Sequence, residues 1–397
     1  MKFLQKRQKR IYLDYAAATP LRHTVAQKMR VFERDMFANA SAIHREGVLV
    51  RQAVNRARER LARTLKIRPN GVVFTGSGTE SNNLAIMGAV EARRATGVPY
   101  VDMEVISTHI EHPSVSKVLE HLSELGVDIK YLDIDTEGLI VAQSLLDTLS
   151  EKTVMVSFAY ANSEIGVVQE VGKLSRIVRA FEKEHATRTY VHTDAAQAPL
   201  YLNCEMDRLM ADIITFDAGK CYGPKGVGVL AMRHGVELSS VLYGGPQESG
   251  LRPATENTAG IIGAVEAIVV AQEQHEKRAE KVSALRDKAI TQLSTIEGVV
   301  LNGSRTQRIA NNINISISGI DSEFAVIVLD NEGIACATKS ACSGAGGDGS
   351  SVVRAMTNDE ARASSTLRFT LGGKTTMRDM TRVVDVLKQH VAKQKSS

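Results

Sequence analysis

The sequence predicts an α/β protein: a large domain built on a mainly parallel sheet flanked by helices, and a smaller α+β domain. Three observations carry this. Short apolar runs such as Val72-Val73-Phe74, Val105-Ile106 and Ile213-Ile214-Thr215-Phe216, bounded by glycine and polar residues, suit the core strands of a parallel sheet. Longer stretches with apolar residues along one side, such as Arg51 to Leu65, read as amphipathic helices. At 397 residues the chain exceeds what one hydrophobic core usually organises. The expected division gives residues 15–260 to the large domain and residues 1–14 and 261–397 to the small one.

In order, Ile11 opens a short strand that enters a turn by Pro20, and Thr24 to Asp35 follows as a helix. Asn39 to His44 is a loop. Gly71 to Thr75 is a strand, and the turn Gly76-Ser77-Gly78-Thr79-Glu80-Ser81-Asn82-Asn83 leads into an apolar helix from Leu84. Strand, glycine-rich turn and helix start together form an anion site, because free amides at a helix N-terminus point outward. The turn matches neither GxGxxG nor a Walker loop, and a plain capped turn would read alike. Val105 to Ser107 is a strand delivering Glu111-His112-Pro113-Ser114 to a helix over Val115–Leu125. A histidine before a helix-initiating proline is held at a strand's carboxyl end, where its ring could lie flat over a ligand; a capping or surface histidine is the alternative. Ile129 to Leu132 and Val154 to Phe158 are strands, the second leading into Tyr160-Ala161-Asn162-Ser163-Glu164-Ile165-Gly166.

The stretch from Tyr190 to Gly228 holds two apolar runs, each ending in an ionisable residue: Tyr190 to Thr193 leads into Asp194, and Ile213 to Phe216 into Asp217-Ala218-Gly219-Lys220. In open α/β sheets ligands bind beyond the carboxyl ends of the strands, so an acid and an amine placed there converge on one ligand. A lysine near apolar surroundings becomes a usable amine nucleophile, for instance for a Schiff base. An ordinary buried ion pair is the alternative. Val227 to Met232 is a strand, Gly244 to Asn257 a long irregular loop, and Ala259 to Ile296 one long helix whose charges from Glu273 onward form a solvated face. Asn312 to Ser318 is a strand with alternating character, Asp321 to Asn331 a helix, and Gly333 to Thr338 a strand. Cys342 lies in a Gly- and Ser-rich segment, Ala337 to Ser351, unlike a packed core residue, whereas Cys204, Cys221 and Cys336 lie in or beside apolar runs and read as structural. Ser364 to Gly372 is a strand placing Arg368 among apolar neighbours, where its planar fork matches a carboxylate. The chain closes with a helix from Met377 to about Val391.

Composition narrows the function class. A net charge of +4 with scattered lysines and arginines argues against direct nucleic-acid binding. The basic start lacks the apolar run of a signal peptide, and no apolar stretch approaches a membrane span. Four cysteines follow neither a metal pattern nor a disulfide framework, so a cytoplasmic protein without bound metal is expected.

Asp194-Ala195-Ala196-Gln197, with Lys220 followed by Tyr222-Gly223-Pro224-Lys225-Gly226, resembles the core of the class V aminotransferase family, and within it the chain resembles the cysteine desulfurases from Tyr12 almost to its C-terminus. The resemblance implies the pyridoxal-phosphate fold type I, with a seven-stranded sheet in the large domain and the cysteine loop in the small one. It implies that Lys220 carries pyridoxal 5'-phosphate, that Asp194 faces the ring nitrogen, and that His112 stacks on the ring and moves protons. Gly78 and Thr79 would hold the cofactor phosphate. Asn162, from the Asn-x-Glu-x-Gly motif, would serve the cofactor's 3-oxygen and the substrate, and Gln197 would support the same edge. Arg368 would take the carboxylate of L-cysteine, and Cys342, in a Ser-Ala-Cys motif, would be the nucleophile that becomes a persulfide. Thr255 would reach the partner's cofactor phosphate in a homodimer. Sulfur would pass to an acceptor protein, an iron–sulfur scaffold or a tRNA-thiolation enzyme.

The chain departs from the family just before the lysine. Most desulfurases carry Ser-x-His-Lys there, and this chain carries Asp217-Ala218-Gly219-Lys220. A carboxylate replacing one phosphate donor and a glycine replacing another predict weaker cofactor retention. The same residues leave open a selenocysteine lyase, a cysteine sulfinate desulfinase, a lyase or aminotransferase that ignores Cys342, and a weakly active scaffold docking an iron–sulfur assembly partner.

Overall fold

The structure is a computed structural model describing residues 10–338 and 349–395. From the amino end these form β1 (Ile11–Tyr12), α1 (His23–Arg34), α2 (Arg45–Leu65), β2 (Val72–Thr75), α3 (Gly78–Ala95), β3 (Glu104–Ser107), α4 (Pro113–Glu124), β4 (Asp128–Tyr131), α5 (Ala142–Thr148), β5 (Thr153–Ala159) and α6 (Val171–His185). They continue as β6 (Tyr190–Asp194), α7 (Met206–Leu209), β7 (Ile213–Asp217), β8 (Gly228–Met232), α8 (Thr258–Glu273), α9 (His275–Leu293), β9 (Val299–Leu301), β10 (Asn312–Ile317), α10 (Ser322–Asn331), β11 (Ile334–Ala335), α11 (Ser351–Thr357), α12 (Glu360–Ser364), β12 (Thr366–Thr370) and α13 (Met377–Lys395). Cys342 lies outside the described residues.

Seven strands make the main sheet in the order β2-β8-β7-β6-β5-β3-β4. The pairs from β7 through β4 are parallel, while β8 runs antiparallel to both β7 and β2. β2 therefore points the same way as β7, and β2, β3, β5, β6 and β7 all end on one edge of the sheet. Both faces are covered, which is why the strands read as unbroken apolar runs. Alternate residues go to opposite faces. Val73, Val105, Met155, Ile213 and Leu230 pack with Leu84, Val90 and Leu119 of α3 and α4. Val72, Phe74, Ile106, Val156, Ile214 and Val229 pack with Leu61, Leu65, Val178 and Ile268 of α2, α6 and α8. A three-stranded antiparallel sheet, β12-β10-β9, and the parallel pair β1-β11 complete the strands.

Several expectations need correction. The helix after the glycine-rich turn starts at Gly78, not Leu84, because Ser77 caps it by accepting from the Glu80 amide at 3.1 Å. The single helix over 259–296 is two, broken at Gln274. α8 is buried on most of its surface and α9 is charged, so the chain bends where burial ends. β10 carries the alternating polar and apolar residues expected of it, yet all of them are buried, the polar ones hydrogen-bonded. Asn302 Nδ2 donates to Asn314 Oδ1 at 2.7 Å and to Ser316 Oγ at 2.8 Å, while Asn312 and Asn314 each donate to the Glu164 carbonyl at 3.0 Å. The polar face of the three-stranded sheet thus grips the loop that follows β5. Gly166 closes that loop at φ +74°, and a β-carbon there would fall 2.5 Å from Asn312 Cγ, so the motif requires glycine on both counts.

Candidate active site

Five strand ends and two segments from outside the main sheet meet around one cavity, lined by Gly78, Asn82, His112, Ser114, Asn162, Asp194, Gln197, Lys220 and Arg368 with Ala16 and Ala17. Seven residues singled out from the sequence are thereby brought together: Gly78, His112, Asn162, Asp194, Gln197, Lys220 and Arg368. Thr79 and Thr255 are exposed and do not line it.

Lys220 follows β7 through a short helical turn, and its Nζ donates to the Ala17 carbonyl at 2.6 Å. Asp194 ends β6 with each carboxylate oxygen holding one donor: Oδ1 takes the Ala196 amide and Oδ2 the Asn82 side chain, both at 2.9 Å. Asn82 also donates to Ser114 Oγ at 2.8 Å, and Ser114 Oγ lies 2.8 Å from His112 Nδ1. The Ser114 amide donates to the same Nδ1 at 3.1 Å, so His112 caps α4 and Nδ1 is an acceptor. The neutral ring then carries its proton on Nε2. Burial lowers the His112 pKa and Lys220 adds to this, against the opposing pull of Asp194 and Asp217. One amide thus ties the acid at β6 to the histidine at α4.

Asn162 accepts the Glu164 and Ile165 amides on Oδ1, both at 2.9 Å, and donates one Nδ2 hydrogen to the Ile110 carbonyl at 2.7 Å, leaving the second for the cavity. Gln197 donates to the Ala16 carbonyl at 3.0 Å. Arg368, only 2% exposed, comes from β12. It donates to the Ser163 carbonyl at 2.9 Å and to Asp14 Oδ1 at 2.8 Å, while its Nε has no partner among the described residues. Asp14 therefore fixes the fork and leaves donors free for a second carboxylate.

Asn82, Ser114 and Asp14 were missed in the sequence. Signals existed: Asn82 stands four residues after Gly78, one helical turn along the same face, and Asp14 ends an apolar run much as Asp194 and Asp217 do. His44, by contrast, caps α2 by accepting the Gly47 amide and takes no part in the cavity. Burial raises the thiol pKa values of Cys204, Cys221 and Cys336, the last two to about 12, which keeps these thiols protonated.

Beside the site, Glu111 is buried, and Thr108 Oγ1 donates to its Oε1 at 2.6 Å. Burial pushes its carboxyl from 4.5 up to about 8, with the Asp194 charge acting the same way. A raised pKa means the folded chain holds a proton that the unfolded chain releases. The stability tied to this group is intact below 4.5 and is lost as pH rises toward 8. Glu111→Gln should therefore gain on the parent as pH rises, by up to about 1.4 kcal/mol per unit crossed. Thermal unfolding of both proteins at about pH 5 and about pH 8 checks this, and a pH-independent difference would contradict it.

The groups fit pyridoxal phosphate at the ring: the cavity is lined by an amine and by a carboxylate with lone pairs left, and Asn82 Oδ1 is buried with no partner among the described residues. The substrate end fits as well, through the unpartnered Arg368 Nε. At the phosphate end the fit is altered, because Asp217 itself takes the Gly78 amide.

Comparisons with known proteins place the chain in a family. The profile of the family described as aminotransferase class-V matches residues 11–383. A cysteine desulfurase IscS from Dictyoglomus turgidum is 38% identical over 384 residues, covering 96% of this chain and 95% of that protein. One from Clostridium botulinum is 35% identical over 382 residues, covering 96% and 94%. Among solved structures, a NifS-like protein superposes with a TM-score of 0.88 at 29% identity, covering 97% of this chain and all of that one. DndA from Streptomyces lividans superposes with a TM-score of 0.75 at 30% identity, covering 89% and 98%. With Lys220, Asp194 and Arg368 lining one cavity, and likeness along nearly its whole length, the chain belongs to the class V aminotransferases, among the cysteine desulfurases.

Proposed function

We propose that this chain removes sulfur from L-cysteine with Lys220, His112, Arg368 and Cys342 as its working residues, yielding L-alanine and a persulfide on Cys342. The cofactor is pyridoxal 5'-phosphate, and when bound it supplies the electron sink for the pair released at the substrate's α-carbon. The single observation that carries the reading is that Lys220, Asp194 and His112, beyond or at the strand ends of the main sheet, line one cavity with Arg368 of the three-stranded sheet.

Lys220 anchors the cofactor through Nζ and, once freed by substrate, moves the α-proton. Asp194, held by Asn82 and the Ala196 amide, keeps a proton at the ring nitrogen. His112, with Nδ1 engaged by Ser114, offers Nε2 to the cavity. Arg368 takes the substrate carboxylate on the donors that Asp14 and Ser163 leave free. The Cys342 thiolate attacks the substrate sulfur, a sulfur–sulfur bond forms, and the pair of the broken carbon–sulfur bond stays with carbon, which takes up a proton and leaves as alanine. The active assembly is a homodimer in which Thr255 faces the partner's site, and an acceptor protein takes the sulfur.

With L-cysteine and a reducing thiol, alanine and sulfide should appear in equal amounts. Arg368→Lys should raise KM by about tenfold or more, since a point charge replaces a two-pronged donor. Sulfide without alanine, or an unchanged KM in the variant, would overturn this reading.

A further inference from the structure

The residue that sets this chain apart before Lys220 sits inside the site. Asp217 ends β7, and its carboxylate accepts two backbone amides: Gly219 on Oδ1 at 2.8 Å and Gly78 on Oδ2 at 3.2 Å. Gly78 is the first residue of α3, where free amides and the helix dipole favour an anion, and Gly219 immediately precedes the lysine. These are backbone donors that a phosphate lying between helix start and lysine would use. The carboxylate is seated closely: a β-carbon added to Gly78 would lie 3.1 Å from Asp217 Cβ, and one added to Gly219 would lie 3.1 Å from Oδ1. Asp217 therefore does not turn away from the cradle.

We infer that Asp217 is a built-in anion occupying part of the cofactor's phosphate cradle, and that it makes the chain discriminate against the phosphate group. This rests on the reading that Lys220 carries the cofactor. A phosphate entering the cradle meets a like charge that already satisfies two of its donors. The nearby cations do not erase that charge. Arg252 is paired with Glu80 at 2.9 Å, and Lys225, whose stem passes 3.5 Å from where a Gly219 β-carbon would sit, has its side chain exposed. The ring end of the site is untouched by Asp217, because its contacts run through Asp194, Asn82 and Gln197. The ratio of affinities for pyridoxal 5'-phosphate and for pyridoxal is accordingly smaller in this chain than a neutral residue at 217 would give.

The test strips the full chain of cofactor and measures binding of pyridoxal 5'-phosphate and of pyridoxal separately by equilibrium dialysis. Asp217→Ser and the isosteric Asp217→Asn should each raise the phosphate-to-pyridoxal affinity ratio about tenfold or more, with pyridoxal affinity moving by less than about threefold. A ratio unchanged or lowered in both variants overturns the inference, as does a parent chain that binds neither compound. Borohydride reduction of the parent with pyridoxal 5'-phosphate, followed by peptide mapping, reports separately on Lys220. Cofactor fixed at Lys220 with an unchanged ratio would sink the Asp217 inference alone, and cofactor fixed elsewhere would sink the anchoring role itself.

Discussion

Lys220→Ala should lose the visible absorbance of bound cofactor and cut alanine formation from L-cysteine by at least about a thousandfold, because one side chain performs two tasks. In the proposed mechanism its amine anchors the cofactor and later moves the α-proton, and no second amine lines the cavity among the described residues. The effect is chemical, not structural: the Lys220 side chain donates to the Ala17 carbonyl, while the turn that carries it is held by backbone bonds from Cys221 and Gly223 to Ala218. Unfolding temperature should move little while the spectrum disappears. A variant that kept both spectrum and turnover would show that the amine belongs to a structural pair.

Cys342→Ala should leave the cofactor spectrum in place and lower alanine formation by at least about a hundredfold, since in the proposed mechanism it removes only the group that accepts sulfur. The other three cysteines make poor substitutes. Cys204 and Cys221 are buried, burial holds the Cys336 thiol protonated up to about 12, and the thiolate is the nucleophile. Spectroscopy on addition of L-cysteine should show substrate binding without product. Full turnover in this variant would instead mark a lyase or aminotransferase that ignores the cysteine.

The strand ends were legible because each carries one ionisable residue after an apolar run buried on two faces, and this pattern marked Asp194, Asp217 and Lys220. His112 was legible from the proline that starts its helix. Long-range pairing was not. Asp14 acts through Arg368, 354 residues away, and nothing local announces that bond. The break at Gln274 was hidden because helix-forming residues continue through it, and it reflects how deeply α8 is buried. The alternating character of β10 was legible, but that Asn312 and Asn314 clamp the Glu164 carbonyl appears only once the two sheets are set against each other. Asp217 was legible as a departure, and the fold supplied the direction of its side chain.

The transfer of sulfur to Cys342 is tested most directly by a single turnover with limiting L-cysteine, quenched with a thiol-blocking reagent and followed by peptide mass mapping with alanine quantified in the same sample. The peptide containing Cys342 should carry one added sulfur in proportion to the alanine formed, and the peptides of Cys204, Cys221 and Cys336 should carry none. Alanine formed with an unmodified Cys342 peptide, or the added sulfur found on another cysteine, would contradict the mechanism.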